Sequence, residues 1–86
     1  MNGKYIESIN QVMDNFGYIQ KESIACNGSD EYIILENAVI FTVVLDKSLG
    51  DSIVSSLKTQ LESMGANISF LSNSEGVLYK YIININ

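Results

Sequence analysis

Cys26 is the only thiol in the chain, and a thiol attacks as its thiolate. Nothing nearby in sequence would create one: the chain holds no histidine, and the nearest lysine, Lys21, is five residues away. Cys26 therefore reads as core filling at a strand end. Ser55-Ser56-Leu57-Lys58 has the spacing by which a lysine activates a serine at a helix start, but it falls in the middle of a helical stretch. Its usual companion segments are missing, with Lys58-Thr59-Gln60 breaking one of them. Asp46-Lys47-Ser48 begins like a calcium loop, yet Asp51 stands where such a loop needs glycine and Leu57 where it needs a bidentate glutamate. Zinc would need several Cys or His ligands. Asp30 and Glu31 are adjacent in a turn, where neighbouring side chains diverge, and no apolar pocket is evident to raise either pKa for acid catalysis. The reading is a protein without catalytic residues, metal or cofactor.

The tyrosines are the better lead. Tyr79 and Tyr81 alternate near the end of the chain, and Tyr18 and Tyr32 flank an earlier turn. Tyrosine offers a large contact area and a polar tip at low entropic cost, which suits an interface as well as a core rim. Tyr79 and Tyr81 are accordingly candidate partner contacts.

Composition sets the class of partner. The chain has 86 residues, enough for one domain over 1–86, of which 47% are hydrophobic and only 17% charged. A domain of this size buries about 60 to 65% of the surface its unfolded form exposes, so some apolar side chains stay at the surface, where they suit a dimer interface or a partner-binding face. Ten carboxylates against five lysines give a net charge of −5, with no arginine. Lys4, Lys21, Lys47, Lys58 and Lys80 are dispersed singly, which argues against direct nucleic-acid binding. The acidic balance favours a protein or nucleoprotein partner with a basic or apolar surface. The longest apolar run, Ala38 to Leu45, falls far short of the roughly 20 residues that span a bilayer, and Met1 to Asn10 lacks the apolar core of a signal peptide. With one cysteine and no internal disulfide, the expected setting is the cytoplasm, without a membrane.

The elements follow from periodicity. Ile6, Ile9, Val12, Met13 and Phe16 form one stripe of a helix, with Asn2 expected to cap its start and Gly17 its end. Tyr18 to Cys26 and Glu31 to Glu36, joined by Asn27-Gly28-Ser29-Asp30, read as a hairpin whose first strand is an exposed edge. Ala38 to Asp46 is a nearly unbroken β-branched and aromatic run, suited to a central strand. Ser48, with Asp51 three residues on, is expected to open a second helix whose stripe is Leu49, Ile53, Val54, Leu57, Leu61 and Met64, closed by Gly65. Ala66 to Ser72 is a strand, Asn73-Ser74-Glu75-Gly76 a turn, and the last strand places Val77, Tyr79, Tyr81, Ile83 and Ile85 on one side.

The expected fold is therefore α+β, in the order α-β-β-β-α-β-β, with both helices on one face of a mostly antiparallel five-stranded sheet. The other face would be open, with Ile19, Leu35, Leu78 and Ile82 as an apolar patch.

In size, acidity and absence of catalytic groups over the whole chain, the protein resembles the phage and mobile-element anti-defence proteins, among them the anti-CRISPR proteins. Toxin-neutralising immunity proteins share that look. The resemblance carries no residue motif. It implies inhibition of a nucleic-acid-processing complex by surface occlusion, with Asp30, Glu31, Glu36 and Glu75 standing in for phosphates. The element order also resembles that of type III secretion chaperones, small acidic dimers that hold an effector segment on apolar patches. That likeness implies a homodimer, although the chain lacks their closing helix.

Overall fold

The computed structural model describes residues 2–23 and 30–85. Helix α1 (Asn2–Asn15) buries Ile9, Val12 and Met13 and turns Lys4, Glu7, Gln11 and Asp14 to solvent, as a 3.6-residue stripe requires. Asn2 already lies within the helix rather than capping it. The C-terminal end is closed by paired bonds, from Tyr18 N–H to the Met13 carbonyl and from Gly17 N–H to the Asp14 carbonyl, both 2.9 Å. Gly17 takes the left-handed conformation this closure needs, at φ 86°. Phe16, expected in the core stripe, sits past the last helical residue and is 41% exposed.

The closure passes the chain directly into β1 (Ile19–Gln20), which pairs with β2 (Glu31–Glu36) in parallel. The expected hairpin is thereby corrected. Ile19 N–H bonds the Asp30 carbonyl and Lys21 N–H the Tyr32 carbonyl, both 2.8 Å, after which the polar run Lys21-Glu22-Ser23 leaves the sheet. Lys21, Glu22 and Ser23 are all polar and exposed, so β1 has no apolar side chain with which to continue along the sheet beyond Gln20. Cys26 and the turn expected at Asn27-Gly28-Ser29 lie outside the described residues.

From β2 the chain turns through Ala38-Val39 into β3 (Ile40–Leu45), with Asn37 Oδ1 accepting the backbone N–H groups of Val39 and Ile40. Helix α2 (Asp51–Glu62) begins later than expected. Gly50, in extended conformation, is its N-cap, and no side chain caps it; the Gly50 carbonyl accepts from Ile53 and Val54 N–H, and Asp51 puts its charge in the first turn. The capping role expected of Ser48 is not realised. β4 (Ile68–Glu75) then runs through the segment expected to turn, and reverses over just Gly76 and Val77 into β5 (Leu78–Ile85). Gly76, at φ 62°, supplies the positive φ that a two-residue hairpin demands at its first central position. Val77, expected to face the core, is at this tip and exposed.

Among the described residues the architecture is α+β: two helices and one five-stranded sheet in the order β1-β2-β3-β5-β4, with one parallel pair and three antiparallel pairs. The core lies between the sheet and the helices. Phe41, Val43 and Leu45 of β3 and Tyr81 and Ile83 of β5 meet Ile9 and Met13 of α1 and Ile53, Leu57 and Leu61 of α2. Among the described residues no helix is long and apolar enough to cross a membrane.

Candidate functional site

The cross-strand registers place every second residue of each strand on the helix-free face. One row across that face is Leu35–Thr42–Ile82–Leu71, and the next is Ile33–Val44–Lys80–Asn73. Val44 is only 3% exposed although no helix covers it, because it lies between Ile33 and the stem of Lys80. Toward the sheet margins the apolar side chains open to solvent: Leu35 is 54% exposed, Ile19 57% and Leu71 60%. Of the patch expected from sequence, Leu35, Leu78 and Ile82 share this face by register, as does Ile19 through its pairing with Glu31. Ile33, Val44 and Leu71 were missed. Leu71 falls opposite Ile82 only if the hairpin closes on the Glu75–Leu78 pair, and a two-residue turn at Gly76-Val77 is the signal that would have found it.

The acidic candidates do not gather into one patch. Glu31 begins β2 and Glu75 ends β4 at the same end of the sheet, three strand spacings or about 14 Å apart. Glu36 is at the opposite end. Two of the four acids already have lysine partners: Asp30 is ion-paired with Lys47, and Glu75 lies 3.4 Å from the Lys80 ammonium. The hydrogen bond to Asp30 raises the Lys47 pKa above its usual value, so the ammonium stays charged across the neutral range. Lys47 also lies over the Tyr18 ring, 5.8 Å from its centroid. Asp30, Glu36 and Glu75 are exposed and Glu31 is half-buried; Glu31 and Glu75 stand at one end of the apolar rows while Glu36, paired with Phe41, falls on the helix side, so the carboxylates do not line up as a phosphate chain would.

The candidate tyrosines face the helices. Tyr81 is 5% exposed and its hydroxyl accepts the Leu49 N–H at 2.8 Å, a structural bond that fixes the lead-in to α2. Tyr79 is half-buried against the same core. Both belong to the packing beneath the sheet, on the face away from the apolar rows.

Clefts among the described residues open beside the helices. One, of about 390 Å³ between α1 and α2, is lined by Val12, Phe16, Ser55, Ser56 and Thr59 among others, and carries no charge. Another, of about 310 Å³, opens beside Tyr32, Asn10, Asp14 and Gln20. Tyr32 donates its hydroxyl hydrogen to Asn10 Oδ1, and burial, reinforced by the Asp14 carboxylate, pushes its pKa up to about 12. A hydroxyl held so firmly protonated is a hydrogen-bonding group and a poor base or nucleophile near neutral pH. Ser55 and Lys58 are both exposed in the middle of α2, away from any helix start. Among the described residues, no three His, Cys, Asp or Glu side chains stand together as a metal ion would require. No protein-family model matches the chain, and no curated protein matches it in sequence.

Proposed function

We propose that the protein is a small, non-enzymatic, acidic binding domain that inhibits or neutralises a larger protein or nucleoprotein complex by covering part of its surface, in the manner of anti-CRISPR or immunity proteins. Its setting in this reading is the bacterial cytoplasm. The observation that carries it is the helix-free sheet face, where Leu35, Ile82 and Leu71 lie in one apolar row with Ile19 at the margin and Glu31 and Glu75 at one end. An apolar row with charged groups beside it is the anatomy of a protein interface, and acidic groups at its end select a partner with basic groups next to an apolar patch.

The test is affinity capture from a bacterial lysate followed by assay of the recovered complex. A folded nucleic-acid-handling complex whose activity falls when the protein is added supports the reading, provided that Leu35→Glu abolishes both capture and inhibition while leaving the circular dichroism unchanged. Inhibition undiminished by Leu35→Glu refutes the use of this face. The element order α-β-β-β-α-β-β favours a second reading, a type III secretion chaperone-like protein holding an effector segment. Recovery of an unfolded effector in place of a folded complex would select it.

A further inference from the structure

We propose that β4 is a dimerisation edge, pairing antiparallel with β4 of a second copy to continue the sheet across a two-fold axis at Leu71. The proposal is independent of what the apolar face binds. β4 ends the sheet order and offers eight residues with no described strand beyond them. The opposite edge is β1, two residues long and laid over the start of β2, whose own ends carry Glu31 and Glu36. Edge strands that must stay single are normally blunted by lysine, proline or a bulge. β4 has none of these, and its register with β5 is unbroken from Ile68–Ile85 to Glu75–Leu78.

The direction of its free backbone groups follows from hydrogen bonds elsewhere in the sheet. Asn37 N–H bonds the Ile40 carbonyl and Ile85 N–H the Val39 carbonyl, which fixes the alternation of close and wide pairs through β2, β3 and β5. Carried to β4, it turns Ser69, Leu71, Asn73 and Glu75 inward to β5 and leaves the N–H and C=O groups of Ile68, Phe70, Ser72 and Ser74 pointing out. A two-fold at Leu71 pairs Ile68 with Ser74 of the second copy and Phe70 with Ser72. Every outward group is then matched, with about eight hydrogen bonds in all. Large side chains face small ones on the helix side. On the open side, Leu71 meets its own copy, so the row Leu35–Thr42–Ile82–Leu71 continues unbroken into the second protomer.

Charge does not oppose a second copy at this edge, where large side chains already face small ones. A chain of net charge −5 opposes self-association, yet the only charged residue of β4 is Glu75, already beside Lys80. In the paired register the two Glu75 side chains are eight positions apart along the strands, about 26 Å, well beyond the Debye length of about 8 Å at physiological salt.

Sedimentation of the full chain over a wide concentration range is expected to give twice the chain mass. Ser72→Pro removes an outward N–H that the single sheet does not use, and Leu71→Lys sets two ammonium groups face to face on the axis. Both variants are expected to run as monomers with unchanged circular dichroism. In a Cys26→Ser background, Leu71→Cys is expected to form a disulfide-linked dimer on mild oxidation, because the axial pair brings its Cα atoms within disulfide range. Asn73→Cys, exposed on the same face but offset from the axis, is expected not to. A wild-type chain that stays monomeric overturns the proposal and leaves the edge to a strand from another protein. A dimer indifferent to Leu71→Lys, or equal cross-linking at positions 71 and 73, overturns it by placing the interface elsewhere.

Discussion

Tyr32 makes alkaline pH a direct probe of the packing between α1 and the sheet. The residue is 1% exposed, its hydroxyl donates to Asn10, and its pKa is raised to about 12 in the folded chain against 10.0 for a free tyrosine. Because the folded value is the higher one, the stabilisation is fully present below pH 10 and is lost as pH rises toward 12, where the unfolded chain releases a proton that the folded chain retains. At pH 11, midway through that window, the linkage relation gives a loss of about 1.4 kcal/mol, a tenfold change in the folding equilibrium. The assay is urea unfolding of wild type and Tyr32→Phe at several pH values from 8 to 11. At pH 8 the variant should be less stable by about 1 kcal/mol for the missing hydrogen bond. By pH 11 the gap should have closed or slightly reversed, since phenylalanine has no proton to lose. Every other titrating group is common to both proteins and cancels in the difference. Two curves that stay parallel from pH 8 to 11 would refute the assignment of a buried, proton-retaining hydroxyl.

Tyr81→Phe orphans the Leu49 N–H beneath the sheet and should lower stability by about 1 to 3 kcal/mol in urea unfolding, with no change in the m-value. Leu57→Ala, at a fully buried position of α2, should remove about 2 to 5 kcal/mol, enough in a domain this small to leave an unfolded fraction visible by circular dichroism at room temperature. Gly17→Ala meets no atom within 4 Å, so its effect, about 1 to 2 kcal/mol read from the thermal midpoint, comes wholly from forcing a Cβ into φ 86°.

What was legible in the sequence was what periodicity encodes. The stripe of α1, the stripe of α2 and the alternation of β5 are written in apolar spacing, and they put Ile9, Met13, Leu57, Leu61, Tyr81 and Ile83 in the core where the spacing requires. Element ends were less legible because they depend on single backbone conformations. Ser48 and Asp51 have the chemistry of a capping box, but the tether from Leu49 N–H to the Tyr81 hydroxyl holds the chain extended through Gly50, so the helix starts at Asp51. That tether joins residues 32 positions apart, and no local pattern announces it. The parallel placement of β1 was hidden for a similar reason. It rests on the bonds from Ile19 N–H to the Asp30 carbonyl and from Lys21 N–H to the Tyr32 carbonyl, each between residues 11 positions apart, whereas the local sequence, two polar-flanked stretches about a glycine turn, suggests a hairpin.

Of the proposed binding face, alternation in the sequence pointed to Ile19, Leu35, Leu78 and Ile82 but not to Ile33, Val44 or Leu71. Tyrosines and acids were the chemically conspicuous residues, yet Tyr79 and Tyr81 are taken by the core and Asp30 and Glu75 by lysines. What remains for a partner is the less conspicuous apolar row. Its exposure is uneven: Val44 at the centre is closed over by Ile33 and the Lys80 stem, while Ile19 and Leu35 open at one margin and Leu71 at the other. A partner laid across the face therefore gains little from the middle strands and most from the two margins. Pairing through β4 would bring two Leu71 margins together as one continuous apolar centre and leave Ile19 and Leu35 at the far ends of a sheet twice as wide. In the proposed reading, a single occluding surface with an anchor at each end would follow from the same strand order that leaves β4 at the sheet edge.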